Sequence, residues 1–207
     1  GKHVIPYLHE RDSRMFAYEF NGYWKDVGTL SSYWEANMEL IDLIPEFNLY
    51  EKYWKVYTNT GAIQPQYISA DSVVLKSIIG EGSEIYGEVH SSVIGANVVI
   101  GKGTVVRDSI IMQGTHIGEN CVLDKAIVAE DCEVGDDVKI GVGEFAPSKF
   151  NPKVYNSELA VVGERSVIPA HVSIGRNTAV SGETVAADYT DGLLESGDSI
   201  IKAGVKA

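Results

Sequence analysis

Residues 94–140 read IGANVVIGKGTVVRDSIIMQGTHIGENCVLDKAIVAEDCEVGDDVKI, and three columns of aliphatic residues run through them at one spacing. Ile94, Ile111 and Val128 stand 17 apart, as do Ile100, Ile117 and Val134, and Val106, Leu123 and Ile140. A fixed short period marks a chain that buries its apolar side chains by stacking each coil on the next. An ordinary sandwich or barrel of regularly spaced strands has no reason to hold such a register over three coils.

Inside each coil the aliphatic marks step by six, from Ile94 to Ile100 and Val106, then through Ile111, Ile117 and Leu123. Three six-residue faces would make eighteen, so a period of 17 leaves one corner a residue short. Between the marks lie Gly95, Gly101, Gly103, Gly114, Gly118 and Gly135, with Asn97, Asn120 and Asp136. These residue types tolerate the left-handed backbone of tight corners. Short Val- and Ile-rich strands broken by such corners resemble the hexapeptide-repeat proteins over residues 74–182. The resemblance implies a mainly β fold, a left-handed parallel β-helix.

The register is expected to break in two places. Ile79 and Ile85 precede Ile94 by 15 and 9 residues, so the first coil is trimmed. After Gly141 the run Gly-Glu-Phe-Ala-Pro-Ser-Lys-Phe-Asn-Pro (143–152) fits no hexad, and its two prolines cannot donate to a ladder. Residues 143–160 therefore read as a loop thrown out from a corner. The six-step resumes at Val162, Ile168, Ile174 and Val180, and is expected to fade between Asp188 and Gly197.

With 207 residues and 44% hydrophobic content, the chain can bury a sizeable core in one or two domains. Cys121 and Cys132 sit at coil positions and read as small core residues, not as a disulfide framework. A net charge of -12 argues against nucleic acid as a partner, because phosphates would be repelled. No apolar run approaches the roughly 18 residues of a membrane span, and no signal peptide is recognisable, which predicts a cytoplasmic protein away from membranes. The sequence opens on Gly1, not Met, and is read as a piece of something longer.

The N-terminal region points the same way. Gly22-Tyr23-Trp24-Lys25-Asp26-Val27-Gly28-Thr29 is dense in aromatics and glycine, and a helix is expected directly after it. Leu30, Tyr33, Trp34, Leu40, Ile41 and Ile44 recur near a period of 3.6, Ser32 and Glu35 fit a capping box, and Pro45 would end the helix after Ile44. The apolar stripe of this helix needs a partner surface that the rest of the N-terminal region can hardly supply.

Residues 22–41, GYWKDVGTLSSYWEANMELI, closely resemble the end of the catalytic domain of the glucose-1-phosphate adenylyltransferase family, also called ADP-glucose pyrophosphorylases. Tyr57-Thr58 and Pro65-Gln66-Tyr67-Ile68 resemble that family's linker between its nucleotidyltransferase domain and its β-helix. The resemblance implies the end of a nucleotidyltransferase domain over 1–50, a linker over 51–73, and a β-helix domain over 74–207 with the loop near 143–160.

What the family does is then expected of the full-length protein. The family transfers the adenylyl group of ATP to glucose 1-phosphate, giving ADP-glucose and pyrophosphate for glucan synthesis of the glycogen or starch type. Mg²⁺ suits such chemistry, because it takes one or two carboxylates and fills its remaining positions with water and phosphate oxygens. By resemblance Asp26 is a metal-binding aspartate; the competing structural reading is that it caps the helix or pairs with Lys25. The family's glycine-rich nucleotide loop, first metal aspartate and sugar-phosphate lysine belong to its upstream domain, and no segment here matches them. The polypeptide alone is therefore expected to be inactive and to serve oligomerisation, as a homo- or hetero-tetramer, and regulation by a phosphorylated metabolite.

Two further readings are kept. Trimeric hexapeptide acyltransferases use a histidine between subunits as general base, which makes His90, His116 and His171 candidates, although no coenzyme A signature accompanies them. A non-catalytic regulatory subunit of the same family is the other, and the intact Asp26-Val27-Gly28-Thr29 string argues against it. Arg107, Arg165, Arg176 and Lys202 are the basic candidates for an effector, and their scatter assigns none of them a site.

Overall fold

The computed structural model describes residues 2–57 and 61–202. Thr58 of the expected linker and residues 203–207 of the expected β-helix domain lie outside the described residues. Residues 67–201 wind into a three-sided parallel solenoid. Its face A is laid down by Tyr67–Ile68, Glu84–Ile85, Val99–Ile100, His116–Ile117, Glu133–Val134 and Val167–Ile168. Seven strands from Val73–Leu75 to Leu193–Leu194 form face B, and seven from Ile78–Ile79 to Ser199–Ile201 form face C.

The sequence columns are the ladder registers. Ile100, Ile117 and Val134 stack on face A, Val106, Leu123 and Ile140 on face B, and Ile94, Ile111 and Val128 on face C. All nine are buried in one continuous core. Strands of two to four residues suffice because each inward aliphatic meets the one above and the one below, which removes most of its surface from water.

Both expected breaks take a definite form. Ile79 pairs with Ile94 and Ile85 with Ile100, an offset of 15, so the first coil is two residues short. Ile68 already pairs with Ile85, so the ladder begins inside the segment 51–73. Across the loop, Val128 pairs with Val162, Val134 with Ile168 and Ile140 with Ile174. Each offset is 34, twice 17, so the excursion has the length of one coil without forming one. The expectation that the register fades after Val180 needs correction. Ile174 pairs with Leu194 and Val180 with Ile200 at an offset of 20, because the 3₁₀ turn Ala186–Asp188 enlarges one corner and the ladder then continues.

Corners carry a second set of columns, made of small polar residues. Thr104 donates its hydroxyl to the Gly118 carbonyl at 2.6 Å and accepts the Cys121 amide at 2.9 Å. Thr115 does the same with Ala129 and Cys132, and Ser83 with Gly95 and Val98. Corner amides turn away from the strand ladders, and these buried hydroxyls pair them with the coil above. Thr104→Val keeps the shape but strands a buried amide and a carbonyl; it is expected to destabilise the chain by about 1–3 kcal/mol in a denaturant titration. Gly141 illustrates how close the coils lie: its φ is +78°, and a Cβ there would stand 1.8 Å from the Asp124 carbonyl oxygen.

Cys121 and Cys132 are unpaired and buried, as core residues should be. Their thiols contact the carbonyls of Gly135 and Gly163, and burial pushes the Cys132 thiol up to about 11. Among the described residues no helix is long and apolar enough to cross a membrane.

Candidate functional site

Two helices precede the solenoid: α1 (Val4–Glu10) and α2 (Leu30–Glu39). Ser32 does not cap α2 as expected. Thr29 does, accepting the Ser32 amide at 3.1 Å while the Ser32 hydroxyl accepts the Thr29 amide. Both residues fit the sequence pattern of a cap, and the extended backbone of Thr29 decides between them. The helix also ends at Glu39, five residues before Ile44, and Leu40–Ile44 continue as turns.

The apolar stripe of α2 finds its partner within the chain. Leu30, Tyr33, Trp34 and Met38 pack on Ile110, Ile127 and Leu159, with Met112 and Val161 at the margin. Ile110, Ile127 and Val161 are the outward residues of three successive face C strands. The Trp34 indole donates to the Asp108 carbonyl at 2.6 Å, and Lys76 pairs with Asp42 at 2.8 Å beyond the end of the helix. The helix is thus seated on the solenoid.

Before α2 the segment Gly22–Gly28 runs without regular structure beside it. Glu39 accepts from the Tyr23 hydroxyl at 2.9 Å and from the Lys25 ammonium, and Glu35 lies 3.4 Å from the same ammonium. The Tyr23 ring also stacks on Phe47 at 5.6 Å. The Lys25 hydrogen bond, followed by that of Tyr23, holds the Glu39 carboxyl below its ordinary range, and Glu39 in turn raises the Lys25 ammonium. A lowered carboxyl contributes stability above its ordinary pKa and loses it as the pH falls, so acid loosens this clamp.

Asp26 lies between these anchors and is exposed. It neither caps α2 nor pairs with Lys25. Its Oδ1 accepts the Gly28 amide at 3.1 Å, a local turn that holds one oxygen of the carboxylate. Among the described residues no three metal-capable side chains converge. Across a cleft of about 400 Å³ the segment Val27–Leu30 and Tyr33 face Lys153 and Val154 of the excursion loop.

The other candidates stay on the solenoid surface. His90 meets Glu88 at 3.0 Å, His116 meets Glu133 at 3.2 Å, and His171 meets Asp137 at 3.5 Å. Of the basic residues, Arg165 pairs with Glu164 and Glu183, Arg176 with Asp124 and Glu158, and Lys202 with Asp188. Arg107 is exposed. The structure brings none of these to Asp26. Tyr23, Lys25 and Glu39 are the residues that sequence reasoning missed, although Glu35 and Glu39 stand four apart on one helix face, a spacing that suits a shared cation.

Comparison with known proteins defines the class first. Residues 64–162 match the family described as GlmU-like, C-terminal hexapeptide, and residues 1–42 match nucleotidyl transferases. A segment that matches nucleotidyl transferases therefore runs into a left-handed hexapeptide β-helix. A glucose-1-phosphate adenylyltransferase of Lachnospira eligens is 61% identical over 204 residues, which are 99% of this chain and 48% of that protein. Proteins of the same name from Acetivibrio thermocellus and Thermotoga maritima are 41% and 48% identical over 99% and 97% of the chain, again 48% of each. Over nearly its whole length the chain is similar to proteins named glucose-1-phosphate adenylyltransferase, and it spans about half the length of the curated relatives it matches.

Proposed function

We propose that this chain supplies the β-helix and one edge of the active site to an enzyme that makes ADP-glucose and pyrophosphate from ATP and glucose 1-phosphate. The reading is carried by 61% identity across 99% of the chain to a relative named for that activity. Asp26 is one carboxylate of a Mg²⁺ site. An exposed carboxylate with one oxygen held by the Gly28 amide suits this ion, which keeps water and phosphate oxygens in most of its positions. Asp26 would hold the ion on this chain, and the ion would supply charge neutralisation for the phosphates. The chain's own part is to aim the Asp26 carboxylate from a loop held at both ends by α2.

The solenoid's role in this reading is scaffolding and self-association into a tetramer of identical or related subunits, with a phosphorylated metabolite as effector. The intact Asp26–Thr29 string favours a catalytic over a purely regulatory subunit. A polypeptide extended to the length of the relatives is expected to release pyrophosphate from ATP only when glucose 1-phosphate is present, and this 207-residue chain to release none. Release by the short chain, or release indifferent to the sugar phosphate, overturns the proposal.

A further inference from the structure

The geometry points to Glu39 as a positioning residue for the metal carboxylate, an inference that rests on Asp26 being a metal ligand. In the segment Gly22–Gly28, Tyr23 and Lys25 are half-buried and the other residues are exposed. Tyr23 and Lys25 both turn to α2 and end on the same carboxylate, one on each oxygen of Glu39. Trp24 and Asp26 alternate with them and are exposed, Trp24 at 77%. Glu39 therefore decides which side of the segment faces the helix, and so which side presents Asp26.

The segment is tied to α2 at two places. Thr29 closes the N-terminus of the helix through the capping box, and Glu39 holds Tyr23 and Lys25 at its last residue. Ten helical residues separate the ties by about 15 Å, so the segment lies back along the helix with Asp26 between them. Because α2 is seated on face C, the position of Asp26 is referenced through Glu39 to the solenoid. Partners that orient a ligating carboxylate have a measurable effect, commonly about 10- to 100-fold in metal affinity.

The test uses the full-length enzyme and Mn²⁺ as a paramagnetic probe of the Mg²⁺ site, titrated with ATP and followed by electron paramagnetic resonance. Glu39→Gln and Lys25→Met are each expected to weaken Mn²⁺ binding about tenfold, while Glu39→Asp retains most of it. Thermal melts run alongside separate positioning from folding, and Lys25→Met keeps the test open if Glu39→Gln does not fold. Asp26→Asn serves as the reference. If Asp26→Asn weakens Mn²⁺ binding and the Glu39 and Lys25 variants do not, the positioning role is overturned while the metal site stands. If Asp26→Asn itself leaves Mn²⁺ binding unchanged, the metal assignment fails and takes this inference with it.

Discussion

Asp26→Asn in the full-length enzyme is expected to lower pyrophosphate release by about two to three orders of magnitude at saturating ATP and glucose 1-phosphate, and to raise the Mg²⁺ requirement. The substitution is informative because it spares the local structure. An asparagine carbonyl oxygen can accept the Gly28 amide as Asp26 Oδ1 does at 3.1 Å, so the turn survives and the charge alone is lost. Thr29 still caps α2, and Glu39 still holds Tyr23 and Lys25. A variant that folds normally and keeps its activity would remove Asp26 from the metal site.

Ile117→Ala is expected to cost about 2–5 kcal/mol of stability, read as a lower denaturation midpoint. Ile117 is fully buried and pairs with Ile100 above and Val134 below. A globular core can partly collapse on such a gap. Here the coils on either side are held at ladder spacing by backbone hydrogen bonds, including the Gly101 amide to the Ile117 carbonyl at 2.9 Å and the Gly118 amide to the Val134 carbonyl at 2.8 Å. The cavity therefore stays open. Its neighbour provides the contrast: His116 points outward to Glu133, and His116→Ala is expected to change stability by less than about 1 kcal/mol. A similar cost for both would mean that the columns do not carry the fold.

How far the sequence revealed this molecule depended on whether a residue's partner lay at a fixed distance along the chain. Ile100, Ile117 and Val134 announce one another because each coil repeats the last. Leu194 and Ile200 were hidden because the turn at Ala186–Asp188 moved the offset from 17 to 20. The seat of α2 was hidden for a different reason: its contacts join residues more than seventy positions apart, as Trp34 and Asp108 are. Outward aliphatics do not betray the seat either: face C carries Ile110-Ile111, Ile127-Val128 and Val161-Val162, but face A has Val99-Ile100 and Val167-Ile168 and face B has Val105-Val106 and Val122-Leu123, so an adjacent aliphatic pair does not mark which face is covered.

At the candidate site the family string singled out Asp26, and composition alone would not have. The clamp on Tyr23 and Lys25 stayed illegible because Glu39 lies on the far side of the loop's own turn into α2, and nothing in a local pattern shows that the chain doubles back. The Thr29 cap was obscured by a second hydroxyl three residues on.

The seat of α2 on face C also sets an order of events. A ten-residue helix is marginal on its own in water, and α2 has no fully buried residue of its own. Its helicity is borrowed from Ile110, Ile127 and Leu159, which come together only after three coils have wound. The rod must therefore form before the helix can persist, and the segment bearing Asp26 is among the last parts of the chain to mature. A polypeptide whose coils have miswound has no seat for α2 and presents no ordered Asp26 segment, so winding of the scaffold acts as a checkpoint on that segment.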